Sequence, residues 1–236
     1  MTGNEFPVGD RLAIAIDGPA ASGKSTVAGA LARQLGIALV DSGSMYRTVT
    51  LLSLERGTAV EDEPGLVEIA VEVGRAFRLD FRDGETLRVF IADRDVTDEI
   101  RKPDVGARVS PVSEVAGVRE EMVALQRCLV AGRDAVVEGR DIGTTVLPDA
   151  PAKVFLEASP AERARRRLAE LEAKGIDVNR EAVAREIDER DRIDSTREIS
   201  PLAIAPDAVP IDTTRKTVAE VVDEIVGLLS DRGLIE

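Results

Sequence analysis

The 236-residue chain has no histidine and no tryptophan, one cysteine, one tyrosine, and 5 lysines against 26 arginines. Without histidine there is no Ser-His or Cys-His nucleophile and no His-ligated metal centre. Cys128 alone can neither close an internal disulfide nor build a cysteine-rich zinc site, so nothing points to an oxidising compartment. Long apolar runs are missing too. The longest near the N-terminus covers residues 12–16, far short of a membrane span, and residues 1–10 lack the pattern of a secretory signal. The expectation is a cytoplasmic chain with no membrane partner. Basic residues are outnumbered 31 to 44, and the net charge of −13 argues against a broad footprint on a nucleic-acid polymer. Chemistry is left to carboxylates, guanidinium groups, lysine, hydroxyls and bound ions.

What is present describes a globular protein. A chain that is 44% hydrophobic and 32% charged, of this length, fits one large domain or one domain carrying inserts. Residues 12–16 read as a buried strand ending in Asp17-Gly18, and residues 25–35 carry helical spacing closed by Gly36. A second short apolar run, 37–40, leads into Asp41-Ser42-Gly43 and a helix over 44–56. Strand, loop, helix, strand is the opening of a parallel α/β sheet.

The middle breaks that rhythm. A helix from Asp62 to about Gly74 precedes alternating Phe77, Leu79, Phe81 and Leu87, Val89, Ile91 around Asp83-Gly84, which predicts a β-hairpin. Antiparallel strands are foreign to a βαβ alternation, so about 62–105 reads as an inserted subdomain. A long helix over about 113–131 then leads to strands at 135–137 and 153–156. Ser159-Pro160-Ala161-Glu162 has the form of a capping box that starts a helix to about Ala173. A helix from about Arg180, a last strand at 208–211 and a helix at 218–229 complete the chain. About five parallel strands flanked by helices are expected.

Four constellations carry chemistry. Gly18-Pro19-Ala20-Ala21-Ser22-Gly23-Lys24-Ser25 fits G-x-x-x-x-G-K-[ST], placed between the first strand and the first helix, where a phosphate-binding loop belongs. There Lys24 reaches the β- and γ-phosphates of a nucleotide and the Ser25 hydroxyl ligates Mg²⁺. Ser42 and Arg47 follow the second strand and so face the same crevice. They are either a second phosphate grip or an N-cap serine with a solvated arginine. Glu138-Gly139-Arg140-Asp141 ends a third buried strand, again as a ligand edge or a charged loop. Arg163, Arg166 and Arg167 share one helix face, as do Arg190, Asp194 and Arg197. These faces suit a lid over phosphates, or a solvated helical hairpin of the kind expected at Arg165, Arg185 and Arg192.

Taken together, IDGPAASGKST, LVDSGSMYR, VEGRDIGT, FLEASPAERARRR and ERDRIDSTREISPL resemble, in order over about 11–215, the bacterial-type cytidylate kinases among the P-loop nucleoside monophosphate kinases. The resemblance implies a P-loop NTPase fold with a core of about 11–61, 106–160 and 198–236, the 62–105 insert as nucleotide-binding subdomain, and a helical lid over 161–197. It implies transfer of the γ-phosphoryl group of ATP to CMP or dCMP, giving ADP and CDP or dCDP. Gly18 to Thr26 would bind ATP, with Lys24, Arg163, Arg166, Arg167 and Arg197 at the transferring phosphate. Ser42, Arg47 and Arg140 would hold the CMP phosphate, Ser110, Arg119 and Asp141 the cytosine, and Arg190 and Asp194 the ribose. A monomer meeting only small molecules is expected. The alternatives are a P-loop kinase of UMP, AMP or shikimate, or a non-catalytic nucleotide-binding module. A GTPase switch is disfavoured because no N-K-x-D guanine-reading motif occurs.

Overall fold

A computed structural model of the chain describes residues 11–81, 87–173, 175–176 and 178–236. Five strands form the central sheet: β1 (Ala13–Asp17), β2 (Ala38–Asp41), β6 (Ala135–Gly139), β7 (Ala152–Glu157) and β8 (Val209–Asp212). They lie in the order β2-β6-β1-β7-β8, and every pairing is parallel. Because both faces are covered, the strands are near-continuous apolar runs. Within β1, Ala13 and Ala15 face one core while Ile14 and Ile16 face the other.

The second core is closed by α1 (Lys24–Leu35) and α8 (Val218–Asp231), through Val27 and Leu31 of the former and Val222 and Ile225 of the latter. The first core holds α2 (Ser42–Arg56), α3 (Glu63–Ala76), α4 (Pro103–Glu114) and α5 (Ala116–Val130). Asp41, not Ser42, caps α2: its carboxylate accepts from the Ser44 amide at 3.1 Å, so the helix starts earlier than the sequence pattern indicates.

Between α3 and α4 lies an antiparallel sheet of β3 (Phe77–Asp80), β4 (Arg88–Ile91) and β5 (Arg94–Asp95). The expected hairpin is there, with Phe77 opposite Ile91 and Leu79 opposite Val89. Its Asp83-Gly84 turn lies outside the described residues, and the third strand was not expected. The helix expected over about 113–131 is α5, which starts at Ala116, and α4 before it was not expected. Val115 is extended (φ −63°, ψ 118°) between α4 and α5, and α4 carries Pro111 inside it. Proline removes one intrahelical bond, but burial of Val105, Val109 and Val112 on one side holds the helix together.

After β7, α6 (Pro160–Ala173) and α7 (Arg180–Thr196) form a helical hairpin with its own small core of Ala164, Leu171, Val183 and Ile187. The expected capping box at Ser159 is half formed. Its hydroxyl accepts from the Glu162 amide at 3.3 Å, but the Glu162 carboxylate turns to Arg165 and Arg166. Among the described residues, no helix is long and apolar enough to cross a membrane.

Gly18 joins β1 to the loop before α1 with φ +149°, and a Cβ there would run into the Leu156 carbonyl of the neighbouring strand. Gly36, at φ +67°, has open space around it. Gly18→Ala is therefore expected to destabilise the protein by about 2–3 kcal/mol and Gly36→Ala by about 1 kcal/mol. Urea unfolding reads the difference, and equal losses would refute the close approach.

Candidate active site

Parallel strands aim all their carboxyl ends at one edge of the sheet. There β1 passes into residues 18–23, β2 into α2, and β6 into Arg140 and Asp141. A cleft of about 570 Å³ opens at this edge, closed by α4 on one side and by the α6–α7 hairpin on another. Of the residues singled out in the sequence, Ala20, Ala21, Gly23, Lys24, Ser25, Thr26, Ser42, Arg47 and Ser110 line it. So do Arg119, Arg140, Asp141, Arg166, Arg167, Arg190, Asp194 and Arg197. Gly18, Pro19, Ser22 and Arg163 are not on its wall. Glu138 is.

The loop before α1 is built to receive an anion. Gly23 caps the helix in the left-handed region (φ 96°) and no side chain bonds the first amides, which leaves N–H groups and the positive end of α1 facing the cleft. Ala21 is left-handed as well (φ 57°), a conformation that costs an alanine about 1–2 kcal/mol. Lys24 is buried, with Nζ donating to the Pro19 carbonyl at 2.6 Å and to Ser22 Oγ at 3.4 Å. Burial first, then the neighbouring Arg140, pushes its pKa down. Ser25 Oγ donates to Glu138 Oε1 at 2.6 Å, and burial followed by the nearby Asp41 pushes the Glu138 pKa up.

The walls carry nine cations, Lys24 and eight arginines, against five carboxylates, Asp41, Glu138, Asp141, Glu170 and Asp194. One connected network holds three of the arginines. Arg119, 2% exposed, pairs with Asp141 at 2.5 Å and donates to the Ser113 carbonyl at 3.2 Å. The Tyr46 ring lies 5.4 Å from its guanidinium carbon. Arg140 donates to Asp194 at 2.8 Å, while Arg197 stands 3.6 Å from Asp141 and 3.8 Å from Asp194. Burial raises the Asp194 pKa, but Arg140, Arg197 and Arg190 outweigh it and hold the group below its usual range. Arg190 is pushed down to about 10 by burial and then by Arg47 and Arg140. Nε of Arg119, Arg167 and Arg190 and one terminal nitrogen of Arg197 are buried without a hydrogen-bond partner. Unsatisfied donors on four arginines of the cleft call for an acceptor.

The two hairpin arginines at the loop do different work. Arg166 donates to the Ser22 carbonyl at 3.2 Å and to Thr213 Oγ1 at 3.0 Å, tying α6 and the end of β8 to the loop. Arg167 pairs with Glu170 one turn along α6 and stands 3.8 Å from Glu186 on α7. Arg165 and Arg192 form exposed pairs with Glu162 and Glu189, and Arg185 bonds the Glu181 carbonyl, the solvated fate expected for them.

Several cleft residues escaped the sequence reading. Tyr46 and Asp41 sit inside the quoted DSGSMYR string, and Ser113 and Arg101 lie outside every motif. Asp17 is the least visible contributor. Both its oxygens accept backbone amides, Ile142 at 2.8 Å and Gly143 at 2.7 Å, and so fix the π-helical turn (Ile142–Val146) that follows Asp141. Burial, against those two bonds, raises its pKa to about 6.

The cytidylate kinase family model matches residues 14–231 of the chain. A cytidylate kinase of Pelotomaculum thermopropionicum is 48% identical over 227 residues, covering 96% of this chain and 97% of that protein. A cytidylate kinase of Limosilactobacillus reuteri is 50% identical over 216 residues, covering 91% and 93%. The solved structure of an uncharacterised protein from Eubacterium ventriosum superposes with a TM-score of 0.50 at 15% identity, covering 93% of this chain and 99% of that one, a likeness of fold alone.

Histidine is absent, and Lys24, lowered to about 7, acts in the opposite sense only as neutral pH is approached, so the two raised carboxylates are read best below about pH 6. A carboxyl whose folded pKa exceeds its unfolded value holds its proton more tightly when folded, so stability falls as pH rises between the two. For Asp17 that interval runs from 3.8 to about 6, and Glu138 acts in the same direction. Nucleotide-free protein should lose stability from about pH 4.5 to 6, by at most about 1.4 kcal/mol per pH unit for each proton, before the lowered Lys24 begins to offset the loss. Glu138→Gln should make the profile shallower. Urea unfolding at several pH values checks this, and a flat wild-type profile would refute it.

Proposed function

The chain belongs to the cytidylate kinase family, and from that premise we propose how its cleft moves the γ-phosphoryl group of ATP to CMP, giving ADP and CDP. The observation that carries the residue roles is the set of buried arginine donors without a hydrogen-bond partner beside an uncapped helix N-terminus. One fits an acceptor nucleotide, the other the phosphates of the donor.

Gly18 to Thr26 wrap the ATP phosphates, with Lys24 swinging from the Pro19 carbonyl to the β- and γ-phosphates. Ser25 and the Glu138 carboxylate offer oxygen donors, which suit a hard cation such as Mg²⁺. Among the described residues no cluster of three acidic, histidine or cysteine ligands exists, as fits an ion held mainly by phosphate and water. When bound, Mg²⁺ supplies positive charge to the phosphate oxygens. The acceptor is a CMP phosphate oxygen, already anionic at neutral pH, so no general base is needed and the lack of histidine is no handicap. Ser42, Arg47 and Arg140 hold that phosphate, and Arg190 and Asp194 the ribose of CMP or dCMP. Arg166, Arg167 and Arg197 neutralise charge as the phosphoryl group passes. The hairpin excludes water, the competing acceptor.

Cytosine presents an amino donor at position 4 and an acceptor at ring position 3, and uracil reverses both. Ionised Asp141 only accepts and Arg119 only donates, so with Ser110 beside them this wall suits cytosine and leaves groups unpaired against uracil.

An ADP-release assay across CMP, dCMP, UMP, AMP and shikimate should show CMP and dCMP strongly preferred. Shikimate or AMP used equally well would overturn the acceptor. Lys24→Met should abolish turnover in a folded protein, and near-normal turnover would remove the loop from the mechanism. Asp141→Ala should lower kcat/KM for CMP by a factor on the order of 10² or more while changing UMP far less. An unchanged CMP-to-UMP ratio would refute Asp141 as the base reader.

A further inference from the structure

The loop before α1 is gripped from outside the cleft by the helical hairpin. The Ala20 side chain, 5% exposed, packs into the hairpin's own core beside Ala164, Val183 and Ile187. Its amide donates to Asp191 Oδ1 on α7 at 3.1 Å, and its carbonyl accepts from Arg163 on α6 at 3.2 Å. Arg163 and Asp191 are themselves ion-paired. Neither side chain lines the cleft. The next residue is Ala21, held at φ 57° where an L-residue is strained. Such a conformation persists only when its surroundings over-determine it.

We propose that Asp191 and Arg163 are positioning residues that clasp the Ala20 peptide groups and so hold Ala21 in the left-handed shape the loop needs to receive ATP phosphates. The inference rests on the reading of residues 18–26 as the ATP loop, and assigns Arg163 a role through the loop instead of contact with the transferring phosphate. Its consequence is coupling. The loop is shaped for ATP only when α6 and α7 are packed together, and a nucleotide that fills the loop stabilises the hairpin in return.

The test measures calorimetric binding of a non-hydrolysable ATP analogue and, separately, of CMP. Asp191 lies on a helix and its side chain is 20% exposed, so Asp191→Ala is suited to folding, which circular dichroism verifies. Loss of a charge-assisted bond should weaken the ATP analogue by about tenfold and CMP by less than about twofold. Asp191→Asn keeps an acceptor for the Ala20 amide and should fall between. Glycine takes a positive φ without strain, so adding Ala21→Gly to Asp191→Ala should recover about threefold of the lost affinity. Equal weakening of both nucleotides, or no recovery with glycine, overturns the clasp. Arg163→Gln should repeat the pattern, and intact ATP binding in it would also overturn the proposal. The readout is binding, so failure of wild-type protein to phosphorylate CMP would count against the proposed reaction alone.

Discussion

Eight guanidinium groups crowded around one cleft repel one another, and much of the molecule serves to keep them there. A chain of net charge −13 places nine cations against five carboxylates at a single edge of its sheet. Burial alone would expel or neutralise such groups. Most of them persist because they are held from behind by a carboxylate, a carbonyl or a ring. Arg119 is backed by Asp141, the Ser113 carbonyl and Tyr46, Arg140 by Asp194, and Arg47 by the Ile100 carbonyl at 3.2 Å. Arg190, which no carboxylate among the described residues approaches within bonding distance, has its pKa lowered by burial and then by the neighbouring Arg47 and Arg140. Two polyanionic substrates are the natural relief of that strain.

This balance suits arginine better than lysine at the cleft. A planar guanidinium can hold a backing partner with one edge and offer N–H groups from another, whereas an ammonium is a point charge that loses its proton more readily when buried. Lys24 is the exception. Among the described residues its Nζ donates to the Pro19 carbonyl and the Ser22 hydroxyl and to no carboxylate, so it can turn to a ligand without breaking an ion pair.

What could be read from the chain and what could not divide along the range of the interaction. β1, β6 and the loop between Gly18 and Lys24 are local, set by apolar runs and by glycines whose positions follow from backbone geometry. The hairpin was legible from the alternation Phe77, Leu79 against Val89, Ile91. Helix α4 was not, because Pro111 looks like a boundary and only tertiary burial of Val109 and Val112 carries the helix through it. The Asp17 grip on residues 142 and 143 spans 125 positions, and the Asp191 bond to Ala20 spans 171. No periodicity encodes such pairs. Arg163 shows the same limit from the other side, since its spacing groups it with Arg166 and Arg167 while its contacts set it apart.

The long-range contacts share a direction. Asp17 leaves β1 to shape the turn after β6, Thr213 leaves β8 to bond the Ser22 carbonyl at 3.0 Å, and Asp191 leaves the hairpin to bond Ala20. Each runs from one segment to the backbone of another at the sheet's edge, where parallel strands end and their own hydrogen bonds run out. A parallel sheet supplies a rigid row of strand ends but no partners for the loops beyond them. The polar side chains that take up those loop amides and carbonyls therefore decide the shape of the cleft, and the hairpin, as one of their donors, is part of the site even where it touches no substrate.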